Sequence, residues 1–289
     1  METSELLKRV RTIEIKTKGL SQNIFAGEYH SLFKGRGMAF SEVREFQYGD
    51  SVRDIDWNVT ARFGKPFIKV FEEERELTLM LLIDVSKSQT LGSRVRTKRE
   101  LVAEISAVLA FSAMQNNDKI GVILFSDHIE KFIPPQKGSK KHVLRIIREL
   151  LEFTPQSKGT DIAHVLQYFT NAMKRRCTAF VISDFNANNS LYDALSIARK
   201  KHDVKAIRVF DVLETGLPPV GMMRLYDVET GEQKWVNSSS KTVQMQVRQN
   251  YEMRMKQVND DFKKARIDSV QIQTDEDYVK PLIQLFSLR

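Results

Sequence analysis

Leu77 to Ser88 reads LTLMLLIDVSKS, a run of mostly large apolar residues that breaks into one acid and two hydroxyls at alternating positions. Preceded by the charged FEEERE and followed by an amphipathic pattern, such a run predicts a strand buried on both faces. In open parallel sheets the crevice at the carboxyl ends of the strands collects ligands, and Asp84, Ser86 and Ser88 fall on that edge. One carboxylate and two neutral hydroxyl oxygens are hard ligands, suited to Mg²⁺ or a similar small cation rather than to zinc or copper.

From Thr78 the chain alternates strand and helix, which predicts a parallel sheet covered on both faces. Leu101, Val102, Ile105, Val108 and Leu109 make one face of a helix over 94–114, and Val143, Ile146, Ile147, Leu150 and Leu151 make the next. KIGVILF reads as a second buried strand, with IEKFIPP as a hairpin arm across a turn at Asp127 and His128. A helix over 161–175 carries Asp161 in its first turn. CTAFVISDF repeats the opening pattern, an apolar strand ending in an acid, here Asp184. A helix at 190–201, a strand at 204–210 and a hairpin turned at Thr230 and Gly231 follow. A long helix at 240–266 is striped by Val243, Val247, Tyr251, Met255, Val258 and Phe262, and a strand at 268–273 and a helix at 276–287 close the chain.

The fold class that follows is α/β, a Rossmann-like doubly wound, mostly parallel sheet over residues 73–289. Residues 1–72 form a separate region: a short amphipathic helix over 4–17, with Leu6, Leu7, Val10 and Ile13 on one side, and an extended segment. From Gly19 to Lys65 no period is held for long, and the stretch reads as an irregular clasp wrapped on the domain. Arg44, Arg53 and Arg62 alternate with Asp50, Asp54 and Asp56, a pattern that predicts ion pairing. PFIKVFEEE then reads as an edge strand leading into the central one.

The 289 residues, 42% hydrophobic and 28% charged, suffice for one large α/β domain with an appendage or for two small domains. A net charge of +8 and a pI near 9.4 invite a nucleic-acid or acidic-membrane partner. The basic residues instead fall in short clusters, Arg94 to Arg99, Lys140 and Lys141, Lys174 to Arg176 and Arg199 to Lys201, which read as solvated helix surfaces with no aromatic-interleaved segment beside them. The single cysteine, Cys177, sits inside CTAFVIS and reads as a small buried side chain, so no disulfide forms within the chain. METSELLKRVRTIEIKTK holds neither a signal peptide nor a membrane anchor, and no stretch reaches the roughly 18 apolar residues of a spanning helix. The expected location is cytoplasmic.

Three loops converge on one edge in this reading: DVSKS after the first central strand, KGTD before a helix, and SDF after a later strand. They bring Asp84, Ser86, Ser88, Thr160 and Asp184 together as oxygen donors. The set resembles the metal-ion-dependent adhesion site of von Willebrand factor type A domains, whose pattern is DxSxS, a Thr in a second loop and an Asp in a third. GRGMAFSEVREFQYGDSVRDIDWNVTAR with KVFEEERE, and later HDVKAIRVFDVLETGLPPVGMMRLYDVETGE, resemble the bacterial family called domain of unknown function 58, in which such a segment precedes a type A domain. The resemblance implies Mg²⁺, or Mn²⁺ or Ca²⁺, contacted by Ser86, Ser88 and Thr160 directly or through water, with Asp84 and Asp184 acting through water or hydrogen bonds. It further implies a protein partner that offers an acidic side chain, a MoxR-type AAA+ ATPase and other type A proteins among the candidates, in complex assembly or stress tolerance. Many relatives carry N-terminal membrane helices; this sequence shows none.

An enzyme is the competing class. A phosphotransferase with an aspartyl nucleophile wants a general acid two residues on, and position 86 is Ser86. No G-x-x-x-x-G-K-[ST] loop occurs, and the GRG at 35–37 lacks a preceding strand. His30, His128, His142, His164 and His202 show no ligand spacing and read as surface or turn residues. The reading is therefore non-enzymatic, with a nucleic-acid or acidic-surface binder and a metal-dependent hydrolase as alternatives.

Overall fold

The structure, a computed structural model, describes residues 3–20, 39–72, 77–90, 96–155, 157, 159–186, 189–226 and 233–287. The chain divides into two compact units, Met1–Leu32 with Leu77–Arg289, and Phe33–Glu76.

The larger unit is built on a six-stranded sheet. Its strands are β3 (Thr78–Asp84), β4 (Lys119–Phe125), β5 (Ile129–Lys137), β6 (Thr178–Ser183), β7 (Asp203–Phe210) and β10 (Asp268–Gln273), in the spatial order β10-β7-β6-β3-β4-β5. All neighbours pair parallel except the β4–β5 hairpin. Read from β5 and counted by appearance, the order is the 3-2-1-4-5-6 of a doubly wound sheet, and the winding reverses between β3 and β6. That reversal is the switch point at which sheets of this kind collect ligands, outside the carboxyl ends of these two strands.

Helices cover both faces. On one side α1 (Thr3–Leu20) packs on α3 (Lys98–Gln115) and α4 (Lys140–Glu152). On the other, α5 (Ile162–Ala172) packs on α6 (Tyr192–Lys201), and α6 on α8 (Lys241–Ala265). Alternation along β3 serves both layers: Met80 and Leu82 join Ile123, Val165, Phe169, Val181 and Phe262 in one core cluster, while Leu79, Leu81 and Ile83, also fully buried, point the other way. Phe180 of β6 meets Phe286 of α9 (Val279–Ser287) edge to face at 6.2 Å. The α8 stripe is real but graded, with Val243, Val247, Tyr251 and Met255 half-buried and Val258 and Phe262 buried. No helix among the described residues is long and apolar enough to cross a membrane.

Helix ends follow from local chemistry. Thr97 and Glu100 form a capping box on α3, and Ser139 caps α4. Asp161 is the cap of α5 rather than part of its first turn. Cys177 is buried as expected, 3.3 Å from His202 Nδ1. His202 and His142 are buried too, against the surface reading. The reason is specific partners: His202 packs on Phe169 at 4.5 Å, and His142 Nε2 meets the Ile120 carbonyl at 2.9 Å.

In the larger unit two short strands, β8 (Met222–Tyr226) and β9 (Gln233–Asn237), pair antiparallel as a hairpin. The turn expected at Thr230 and Gly231 lies outside the described residues, as do the side chains of Leu6 and Leu7, His30 and the chain from residue 21 to 38.

The smaller unit corrects the irregular reading of Gly19–Lys65 over the described residues 39–65. Strands β1 (Ala39–Glu45) and β2 (Phe67–Glu72) pair antiparallel in their own two-stranded sheet, so PFIKVFEEE is not an edge strand of the central sheet. Between them stand a 3₁₀ turn at Val52–Asp54 and helix α2 (Trp57–Phe63), capped by Asp56 and closed by Gly64 at φ +68°. Of the expected pairs, Arg44 and Asp50 form a bidentate bridge with both contacts at 2.8 Å. Asp56 instead caps α2 and lies 3.6 Å from Lys69.

Gly121 marks a close approach in the sheet. A Cβ there would stand 2.6 Å from Met80 Sδ, 3.0 Å from Pro135 N and 3.1 Å from the Ile133 carbonyl. The β4–β5 register shifts at this point, and Pro134 and Pro135 are tolerated because β5 is an edge strand. Gly121→Ala is expected to destabilise the protein by about 1–3 kcal/mol through overpacking, read as a lower urea midpoint at unchanged slope.

Candidate functional site

The residues that end β3 and β6 meet side by side at the switch point. Asp84 closes β3, is 2% exposed and receives two hydrogen bonds: the Ser86 N–H donates to Oδ1 at 2.9 Å, and the Ser183 hydroxyl donates to Oδ2 at 2.7 Å. Ser183 in turn accepts from the Phe185 N–H at 3.0 Å. The first bond folds Val85–Ser88 back over the strand end, and the second ties β3 to β6.

This turn leads into a 3₁₀ segment, Lys87–Thr90, and sets the Ser86 and Ser88 hydroxyl oxygens 3.0 Å apart. Two neighbouring ligands of an octahedral Mg²⁺, each about 2.1 Å from the ion, are separated by about 3 Å. The hydroxyl pair thus has the spacing such an ion needs. Gln89, the next residue, is 1% exposed, and neither its amide nitrogen nor its oxygen finds a partner among the described residues. An orphaned buried amide is uncommon and marks a place where structure has been set aside for something other than packing.

Asp184 follows β6 and is 3% exposed. Its Oδ1 accepts from the Asn186 N–H at 3.2 Å, its Oδ2 from Lys98 Nζ at 2.8 Å, and its carbonyl from Arg208 Nε at 3.1 Å. The Ser88 hydroxyl also bonds to this carboxylate. Phe185 adopts a left-handed backbone at φ +53°, costly for a bulky residue and held here by the Ser183 bond and edge-to-face packing on Phe262 at 5.0 Å.

Four of the five expected donors, Asp84, Ser86, Ser88 and Asp184, are therefore joined in one hydrogen-bonded cluster. Thr160 is half-buried in the neighbouring loop, brought to the same edge by the Asp161 N–H, which donates to the Ser126 carbonyl just past β4 at 3.0 Å. Among the described residues no hydrogen bond joins Thr160 to the other four. That loop is fixed further by Ser157, whose hydroxyl donates to Asp127.

Two residues outside the motif belong to the cluster. Lys98, the first residue of α3, is fully buried, and its ammonium also contacts Glu214 Oε1 at 2.6 Å. Glu214 lies in the short helix α7 (Val212–Thr215), where it and Asp211 form a capping box. Reading the sequence missed both, because a Lys in a helix first turn looks like surface. The one available signal was its misplacement against the helix dipole.

The electrostatics separate the two aspartates. Burial, and then the nearby Asp184 charge, push the Asp84 carboxyl up to about 6, against the bonds from Ser183 and Ser86. Burial also acts to raise Asp184, but the Lys98 ammonium, with Ser88 and the Asn186 N–H, outweighs it and holds that carboxyl below its ordinary value. Lys98 is opposed by burial yet raised by its two acids, and burial, joined by the Asp184 charge, outweighs the lowering effect of the Lys98 ammonium and leaves Glu214 raised. No group of three or more His, Cys, Asp and Glu among the described residues is placed to hold a metal. An ion at this edge would depend on the hydroxyls, with the carboxylates as outer support.

Fold and edge together define a doubly wound α/β protein whose polar cluster sits at the point where the winding reverses. The chain belongs to the family described as protein of unknown function DUF58, which it matches over residues 42–260. It is similar to the uncharacterized protein Rv1480 of Mycobacterium tuberculosis, 28% identical over 233 residues that cover 80% of this chain and 73% of that protein. Similarity to the uncharacterized protein YeaD of Bacillus subtilis is 29% over 107 residues, 36% of this chain and 25% of that one. Among solved structures it is similar to the conserved hypothetical protein BatB from Bacteroides thetaiotaomicron, at 16% identity and TM-score 0.47 over 73% of this chain and 97% of that one. An aerotolerance-related membrane protein from Bacteroides fragilis gives 15% identity and TM-score 0.49 over 73% and 98%.

Asp84 generates a prediction with a definite sign. Between the ordinary Asp value of about 3.9 and its folded value near 6, the native state keeps a proton that the unfolded chain has lost. Its contribution to stability therefore falls as pH rises through that window and stays low above it. Asp84→Asn keeps the shape without the charge, and in EDTA it is expected to gain roughly 1–3 kcal/mol over wild type at pH 8 relative to pH 4. Thermal denaturation of both proteins at the two pH values measures the difference.

Proposed function

We propose that this chain is a protein-interaction module rather than an enzyme, in which Ser86 and Ser88, with Thr160, hold a divalent cation at the β3–β6 switch point as a metal-ion-dependent adhesion site of the von Willebrand factor type A kind. The observation that carries the reading is the pair of hydroxyl oxygens 3.0 Å apart between two buried carboxylates at a sheet's switch point.

Each residue has a distinct task. Asp84 fixes the turn through the Ser86 N–H, and the two hydroxyls stand side by side at that strand end. Ser183 holds the second oxygen of Asp84 and keeps the two strand ends in register. Asp184 accepts from Ser88, which orients that hydroxyl's lone pairs. Neutral hydroxyls leave the charge of a hard ion such as Mg²⁺, Mn²⁺ or Ca²⁺ largely unquenched, and when bound that ion supplies an electrophilic contact for an acidic side chain of a partner. Position 86, where an aspartyl phosphotransferase wants its general acid, is a serine, and this favours adhesion over phosphoryl transfer. By the family resemblance the partner class is a MoxR-type AAA+ ATPase, served in complex assembly or stress tolerance from the cytoplasm.

Capture of a purified MoxR-type ATPase by the immobilised chain tests this. Binding is expected in Mg²⁺, with loss of at least tenfold in EDTA and in Asp84→Ala or Ser86→Ala at unchanged circular dichroism. Equal capture in all conditions would sink the metal bridge. A basic nucleic-acid binder would instead retain DNA or RNA in EDTA and lose it steeply with salt.

A further inference from the structure

We propose that Lys98 is the resident counter-ion of the switch-point cluster: it neutralises Asp184 while no divalent ion is held there, and pairs with Glu214 when one is. The inference rests on the metal reading above and adds to it two residues that the DxSxS, Thr and Asp pattern does not contain.

The placement of Lys98 is unfavourable unless it serves the cluster. It opens α3 directly after the Thr97 cap, where the helix dipole disfavours a cation, and it is fully buried, where an ammonium loses its hydration. Its nitrogen lies 2.8 Å from Asp184 Oδ2 and 2.6 Å from Glu214 Oε1. One carboxylate is enough to neutralise it.

Glu214 is built as a standing receiver. Its Oε1 also accepts from the Asp211 N–H at 3.3 Å, and Asp211 is itself anchored by the Leu213 N–H at 3.0 Å and the Thr274 hydroxyl at 2.6 Å. Because the ammonium already touches both acids, moving from one to the other takes a redirection of N–H bonds and no relocation of the side chain. Its positive charge stands close to where a cation would bind and opposes it. Removing Lys98 should therefore tighten cation binding, and removing the receiver should weaken it.

The test is a titration of the full chain with MnCl₂, with free Mn²⁺ followed by electron paramagnetic resonance at fixed ionic strength, for wild type, Lys98→Met and Glu214→Gln. Lys98→Met is expected to bind Mn²⁺ at least tenfold tighter than wild type, and Glu214→Gln at least threefold weaker. In thermal denaturation Lys98→Met should be less stable than wild type without Mn²⁺ and recover more on its addition. Binding by Lys98→Met but not by wild type also supports the proposal. Wild-type binding with unchanged affinity in both variants overturns the counter-ion role and leaves the metal reading standing. Silence in wild type and Lys98→Met alike overturns both. Should Lys98→Met fail to fold, Glu214→Gln decides alone: weaker binding supports the role, and equal or tighter binding overturns it.

Discussion

Two carboxylates, Asp84 and Asp184, end neighbouring parallel strands, and the sheet delivers both to one buried edge. Like charges there repel, and burial deprives each of water. The surrounding arrangement answers that problem. Ser183 and the Ser86 N–H serve Asp84, whereas Lys98, the Asn186 N–H and Ser88 serve Asp184. The Ser183 hydroxyl accepts from the N–H of the left-handed Phe185 and donates across to Asp84 on the next strand. Apolar residues of similar volume in place of buried charges are often neutral or stabilising. Acids retained inside a structure, against that alternative, point to work at the site.

The sheet and its helices were legible because their signals are local. A short apolar run flanked by charged residues is too short for a buried helix, and LTLMLLID and CTAFVISD each announced a strand with an acid at its end. Helix faces in α4 and α8 appeared at the expected spacing, Ser139 caps the first, and the second ends one residue inside each expected bound, closed by a left-handed Arg266. Asp84, Ser86, Ser88 and Asp184 came together because both strand ends lie at the same edge. Thr160 was placed only as far as its loop, since side-chain direction there depends on Ser126 and Asp127 contacts that no periodicity records. Lys98 and Glu214 stayed invisible because their pairing spans more than a hundred residues and neither stands in an apolar pattern.

The stretch between α1 and β3 shows the opposite failure. Its sequence is dense in charge and glycine, so no period of 2 or 3.6 survives, yet it holds a paired β1 and β2 and a capped helix. The order rests on single contacts: Asp50 receiving both arms of Arg44, Asp56 capping α2, and the Thr60 hydroxyl accepting from the Phe67 N–H at 3.0 Å. Small units organised by such contacts rather than by a large core carry little pattern for a reader to find.

The smaller unit, Phe33–Glu76, interrupts the larger one in chain order, and this bears on assembly during synthesis. Helix α1 leaves the ribosome long before α3 and α4, against which it packs. Its buried residues Val10 and Ile13 meet those helices only after more than seventy residues have been added. The β1–β2 pairing lies wholly within that interval and needs nothing made later. By drawing its own ends together early it shortens the loop that α1 must close, a modest entropic gain. A nascent chain of this design is therefore most exposed to misassociation through α1, in the window before residue 152 has emerged.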